Sequence, residues 1–585
     1  MTKQKVLAIG IGIVLVVLLV YTRFVGLDWG LPYPMHPDER NMVISILQMR
    51  CDEFPSTSCM HPHFFAYGQV PLYLGALIGR LINLIEGGNP PVTLEQVTLA
   101  LRIMSALASA ALSLVLYKTL RLLMDLQNRD KVVAFLAVTF VPAFIQFSHF
   151  GTTESFLMLF VSILFYWSLG FVKRTVGLKS YFSSLGVLLG IAVGTKVSAL
   201  SFGVIPAFAI LLSVAKRHSR IYTALIFFGC ATTLVLMIAV FLISSPFTLI
   251  DWPEFIHSMN YESAVGIGTY KAFYTRQFEY TIPVLFQIVN VIPHTLGLPM
   301  AILALLGMLF LPWNRNYFLL RASIFMLFLP QAVLYAKWSR FLAPVFPLLV
   351  LIATATLMSI FQTLSKWWGK RYQWIISVGY TLVTLILIIP GIAYMTIYQT
   401  PDVRFVASQW IYENIDPSSI ILSETANVVD IPMPNPLVSD NRAYLNRNQP
   451  ISFNFYELDN DPIENQWRTH LDEADYLFIP SRRIFVNHTC YQGIGEKVIG
   501  PIEQVQFSVY DQNRCSQLKD LYPLLTEHYD RLFSSNSEFR QIVSFSSFPR
   551  IELFGHTLIE FDDEMAEETW TVFDHPVIRI FERVK

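Results

Sequence analysis

The sequence predicts a polytopic α-helical membrane protein of about eleven spans, followed by an extracytoplasmic α/β domain. Three observations carry that prediction. Hydrophobic residues make up 54% of the chain and charged residues only 15%, with a mean hydropathy of +0.47. Several apolar runs reach the roughly 20 residues a helix needs to cross a bilayer. From about Thr400 onward the charges rise and the long apolar runs stop. The expected division is therefore 1–400 for the membrane domain, with interfacial helices in a first outer loop at 28–97, and 401–585 for the soluble domain. A net charge of −1 offers no bulk attraction to a polyanion, so no nucleic-acid partner is expected.

The first apolar run, Val6 to Val20, follows Lys3 and Lys5 like the core of a signal peptide. It continues to Leu27 without a small-residue cleavage site and reads as a retained span. The segment Phe64 to Ile85 is the ambiguous one: apolar, yet carrying Gln69, Pro71 and Arg80. Positive charge arbitrates. If this segment does not cross, the short loops holding Lys118 and Arg121, Lys173 and Arg174, Lys216 and Arg217, and Lys366 and Arg371 all fall in the cytoplasm. If it crosses, all of them fall outside. It is therefore expected to lie in the outer interface or to re-enter. The spans then lie near 6–27, 98–124, 131–148, 154–172, 181–195, 198–215, 221–243, 291–311, 317–335, 341–362 and 373–397, with a cytoplasmic N-terminus.

On this topology Asp38, Glu39, Glu154, Lys196, Lys337 and Arg340 share the outer face. No carboxylate pair sits mid-span as a proton relay would, which counts against a pump or transporter. The stretch Gly30-Leu31-Pro32-Tyr33-Pro34-Met35-His36-Pro37-Asp38-Glu39-Arg40 is the densest group of ionisable residues beside a span. Its prolines favour extended backbone, and a helix is expected to start near Asp38 and run to Met49. Acids in the first turn complement the helix dipole, which is their ordinary role; the alternative is that Asp38 is a base at the lipid boundary. Glu154, after Thr152 and Thr153, reads as a capping acid that also faces any substrate there. Lys196, between two apolar segments, either snorkels or meets an anion. Lys337 and Arg340 sit unfavourably at an outer helix start, so an anion should offset them, and the planar fork of Arg340 suits phosphate oxygens better. A salt bridge from Arg340 to an outer-loop acid is the competing account.

Five cysteines divide as Cys51 and Cys59 in the first outer loop, Cys490 and Cys515 in the tail, and Cys230 within a span. Both pairs lie in the oxidising compartment on this topology, so two local disulfides are expected, with free thiols as the alternative.

The ordered pieces His36-Pro37-Asp38-Glu39, His61-Pro62-His63-Phe64, Arg102-Ile103-Met104-Ser105-Ala106, Gly194-Thr195-Lys196 and Arg340-Phe341-Leu342-Ala343-Pro344 resemble the GT-C class of polytopic glycosyltransferases. The likeness is greatest to bacterial relatives of protein O-mannosyltransferases and lipid A aminoarabinose transferases, over roughly residues 1–400. It implies a polyprenyl- or dolichyl-phosphate sugar donor reached from the outer leaflet. It implies a protein, lipid or glycan acceptor, contact with membrane lipids, and no cofactor. Asp38 is then the catalytic base, with Glu39 beside it; His36, Arg40, His61, Glu154, Lys196, Lys337 and Arg340 are the expected substrate-binding residues. The lipid phosphate leaves already charged, so the reaction needs a cationic clamp rather than a general acid. No catalytic metal is expected; His36, Asp38, Glu39, His61 and His63 are the side chains that would hold a divalent ion. The histidine-proline motif has one proline where relatives often have two, and Glu154 stands where relatives vary.

In the tail, Val403 to Asn414 reads as an amphipathic helix, and Ile420–Leu422, Tyr476–Ile479 and Val577–Phe581 as strands. Helices are expected near 515–525 and 525–534. Asp574-His575-Pro576 reads as a turn, and Asn487-His488-Thr489 fits a glycosylation acceptor. The competing function is a non-catalytic membrane protein that binds polyprenyl-phosphate or glycan during envelope polysaccharide assembly or export. It would have the same cations and tolerate loss of Asp38.

Overall fold

The structure is a computed structural model. It describes residues 3–49, 60–89, 91–216, 219–424, 429–434, 447–455, 458–459, 463–493, 496–497, 509–511 and 513–584. Nine helices among them are long and apolar enough to cross a membrane, or up to 11 if each of two bent pairs counts as one span. The chain is a multi-pass membrane protein. Helices Leu94–Leu123, Glu154–Val172 and Phe346–Trp368 form the buried centre, and Arg220–Ser244 lies almost wholly outside it.

The bent pairs have separate causes. Asn128–Thr139 and Pro142–His149 meet at 48°, where Pro142 has no N–H to continue the ladder. Gln287–Leu296 and Leu298–Phe310 meet at 116°, so the chain folds back instead of passing straight through 291–311. Gly297 makes that elbow with φ +81°, and a Cβ there would stand 2.9 Å from the Pro390 ring. Gln69–Ile85 has 17 residues, buries Gln69, Leu72, Ala76 and Asn83, and exposes Leu77, Leu81 and Leu84. The helix thus has one face against the protein and an apolar face exposed.

Burial of a cation inside the bundle is met by hydrogen bonds. Arg23 donates to Ser109 Oγ at 2.8 Å and to the Thr139 carbonyl at 2.9 Å, which satisfies a group that hydrocarbon cannot solvate.

The tail carries the expected helix Val403–Asn414 and a mixed five-stranded sheet. Strands Ile451–Phe453, Ile421–Glu424, Tyr476–Ile479, Ile578–Arg583 and Phe539–Phe545 lie side by side in that order. The first three run parallel, and Ile578–Arg583 runs antiparallel to both of its neighbours. Cys490 and Cys515 are joined in a disulfide; the Cys51–Cys59 pairing lies outside the described residues. Asn487 is fully buried and its amide donates to the Arg483 carbonyl at 2.8 Å, so the folded chain does not present it for glycosylation.

The tail is tied to one end of the bundle. Arg514 donates to the Glu279 carbonyl at 2.7 Å, and the Ile282 N–H to Val509 O at 2.8 Å. Arg404 donates to the Val572 and Phe573 carbonyls at 3.0 and 2.7 Å. The turn at Asp574-His575-Pro576 belongs to this joint: Asp574 accepts from Tyr398 Oη at 2.7 Å and from Gln146 Nε2 at 3.2 Å. His575 lies between Asp574 and Asp563, at 2.6 and 3.1 Å. Burial opposes its charge, but the two carboxylates outweigh that and push it up to about 10 from an ordinary 6.5. A raised value stabilises the fold fully below pH 6.5 and is lost as pH climbs towards about 10. The wild-type unfolding midpoint should therefore fall across that window. His575→Gln should start lower at neutral pH and follow a flatter profile; an unchanged slope would mean the cluster does not hold the joint.

Candidate active site

Helix Pro37–Gln48 begins on His36, whose Nδ1 accepts the Glu39 N–H at 3.4 Å. Consecutive helical positions point about 100° apart, and the two neighbouring acids go to different places. Glu39 turns inward. Arg102 donates to it twice, at 2.9 and 2.7 Å, and the Gly151 N–H once, at 2.6 Å. Arg102 also donates to the Leu27 and Trp29 carbonyls at 2.8 and 2.7 Å. A Cβ on residue 151 would stand 2.8 Å from the Glu39 carboxylate, so that approach requires glycine. Glu39 thus ties the first loop to helix Leu94–Leu123 and does not line the cavity described next.

Asp38 turns the other way, into a cavity of about 760 Å³ at the end of the bundle that carries the tail. Its carboxylate is ion-paired with the Arg340 guanidinium, which itself lies 4.4 Å over the Trp338 ring. Asn41, one turn along from Asp38, lines the same cavity, as do Lys196 and Arg340. Lys196 Nζ is 3.8 Å from Glu154 and 4.9 Å from the centre of the Tyr67 ring. Glu154 is buried behind it, with one carboxylate oxygen lacking a hydrogen bond. Asp38, Glu154, Lys196 and Arg340, 302 positions apart at the extremes, are therefore brought to one place.

The remaining predicted residues surround the cavity without lining it. His36 packs its ring 4.6 Å from Phe150 and 4.3 Å from Phe573; burial, with Arg340 and Arg102 nearby, holds it well below the ordinary histidine value, so it caps as a neutral ring. His61 contacts Asp251 at 3.1 Å and accepts the His63 N–H at 2.9 Å, leaving His63 at the wall. Arg40 is half-buried and does not line the cavity. Lys337 donates to the Tyr335 carbonyl at 3.1 Å, and burial lowers it to about 8.

Three cavity residues lie in the part read as a separate soluble domain. Arg483, at the start of helix Arg483–His488, lines the cavity together with Thr569 and Phe573. It sits 3.4 Å from Glu568, whose carboxyl burial pushes up to about 7 against the pull of that same arginine. The only advance signal was Arg482-Arg483 leading an apolar run, which nothing in the sequence connects to the membrane domain. The walls add Tyr261, Tyr274, Trp338 and Phe341, and two further acids, Glu254 and Glu262. Among the described residues no three His, Cys, Asp or Glu side chains converge as a metal site.

Residues 93–243 match the family described as dolichyl-phosphate-mannose-protein mannosyltransferase. That stretch contains Arg102, Glu154 and Lys196. The membrane domain resembles the GT-C glycosyltransferases. The matched stretch includes neither Asp38 nor Arg340, so the GT-C likeness there rests on their order and motifs. Among solved structures, ArnT from Cupriavidus metallidurans bound to undecaprenyl phosphate is similar at 14% identity, with 71% of this chain and 82% of that one covered and a TM-score of 0.46. The Archaeoglobus fulgidus oligosaccharyltransferase in the apo form gives 12% identity, 99% and 88% coverage and a TM-score of 0.44. AglB from Archaeoglobus fulgidus, in complex with an inhibitory peptide and a dolichol-phosphate, gives 12%, 100%, 89% and 0.45. No curated protein matches the chain.

Proposed function

We propose that the protein is a membrane glycosyltransferase that moves a sugar from a polyprenyl-phosphate donor to an acceptor hydroxyl on the outer face of the membrane. The observation that carries this reading is a cavity in which the carboxylate of Asp38 and three cations, Lys196, Arg340 and Arg483, share one wall with Glu254 and Glu262. An acceptor hydroxyl attacking the anomeric carbon needs a base, and the departing phosphate needs positive charge. Attack in line inverts the anomeric carbon as the carbon–phosphate oxygen bond breaks. The Asp38–Arg340 pair gives the order of events. While Arg340 holds Asp38 the carboxylate is a poor base; a donor phosphate that draws the guanidinium away frees it. Lys196 and Arg483 then share the phosphate charge. Glu154 backs Lys196, His36 caps the helix that carries Asp38, and Glu39 fixes the loop before it.

Purified protein in vesicles, offered a panel of radiolabelled polyprenyl-phosphate sugars with peptide, lipid and glycan acceptors, should release lipid phosphate for at least one donor. Tight binding of donors with no release across the panel would favour the non-catalytic lipid-phosphate or glycan-binding reading. Within an active pair, Arg483→Met and Lys196→Met should each lower kcat/KM by about 10- to 100-fold, the size of one lost charge-assisted hydrogen bond. An unaffected Arg483→Met would remove the tail from the clamp.

A further inference from the structure

Strands Arg550–Leu553 and His556–Glu560 form a hairpin that joins no other sheet. Phe554 and Gly555, with φ +51° and +78°, make its tight reversal, the paired left-handed geometry of a two-residue hairpin turn. That turn puts a phenylalanine at the tip, 92% exposed, flanked by Leu553 and Leu558 at 52% and 60%. Ile559 is exposed as well. Four large apolar side chains are thus exposed on one small hairpin, which water does not favour.

The position of the hairpin says what covers them. At its root the Arg550 N–H donates to Thr396 Oγ1 at 3.3 Å, beside the end of the last apolar span. The strand Arg550–Leu553 also touches helix Gln373–Tyr394 and does not join the tail's own sheet. That helix exposes Leu382, Leu385 and Ile386, the surface of a membrane span. The hairpin is therefore rooted at the end of a span whose outer side faces lipid. Arg550 and Glu552 pair with each other near the root, which reduces the cost of bringing that charge close to the bilayer. Depth is bounded: an open strand edge is not tolerated in the hydrocarbon core, because its N–H and C=O groups would go unpaired. The headgroup–acyl boundary accepts both the apolar tip and a hydrated edge.

We propose that this hairpin is an interfacial lipid anchor, with Leu553, Phe554 and Leu558 set among lipid chains at the boundary and the strand edges in the headgroup layer. It would hold the tail, and with it Arg483, Thr569 and Phe573, at a fixed height over the bundle. The anchor does not depend on the reaction assigned to the cavity.

The test uses the full chain in phosphatidylethanolamine–phosphatidylglycerol vesicles, with photoreactive benzoylphenylalanine placed singly at Phe554, at Ile386 as the lipid-facing control and at Lys519 as the exposed control in the tail. Irradiation followed by mass spectrometry should give lipid adducts at 554 and 386 and none at 519. A lipid adduct at 386 with none at 554 would overturn the proposal. So would a chain-to-chain adduct at 554, which would assign the patch to a second copy.

Discussion

Asp38→Asn is expected to lower sugar transfer by about 10²- to 10⁴-fold, the range for loss of a positioned general base. The substitution removes basicity and keeps shape. It also releases Arg340 from its ion pair, so the donor's KM should stay level or fall while kcat drops. That split separates the assignment from a structural one: a carboxylate that only held Arg340 in place would raise KM when lost. The measurement is steady-state release of lipid phosphate against donor concentration, with size-exclusion profiles confirming equal folding. Turnover at the wild-type level would exclude Asp38 as the base.

Glu39→Gln is expected to act on stability instead. Its partner Arg102 is fully buried and donates four hydrogen bonds at this joint, two to Glu39 and one each to the Leu27 and Trp29 carbonyls. Breaking a buried ion pair by removing one partner costs about 3–5 kcal/mol, because the other charge stays buried without compensation. The unfolding midpoint in detergent should fall clearly. Replacing both residues, Glu39→Gln with Arg102→Met, should cost less than the sum of the two single changes. Activity per folded molecule should survive in Glu39→Gln far better than in Asp38→Asn. A variant with a wild-type midpoint and no turnover would instead put Glu39 in the chemistry.

The contrast between these two adjacent acids shows where sequence reasoning reached its limit. Both stand in the first turn of a short helix, and which of them meets the cavity depends on the rotation of that helix. The rotation is fixed by Arg102, Gly151 and the carbonyls of Leu27 and Trp29, through hydrogen bonds that each join positions more than 60 apart. Lys196 and Arg340 were legible because a cation at an apolar boundary is costly and demands a partner. Helices were legible because a bilayer sets their length and polarity. The elbow at Gly297 was not, since an apolar run looks the same whether it continues or doubles back. Arg483 was hidden for a different reason: periodicity describes the tail's own core and carries no record of what that core is placed against.

The elbow has a consequence for how the protein can be divided. Asn290, just before the fold-back, donates to the Met565 carbonyl at 2.8 Å, and its own carbonyl accepts the Glu567 N–H at 2.9 Å. The peptide that supplies Thr569 and Phe573 to the cavity thus sits on a bracket made by the membrane half. Exchanging tails between related chains at residue 400 would sever lock from key; a working hybrid would have to carry segment 274–297 across with its own tail.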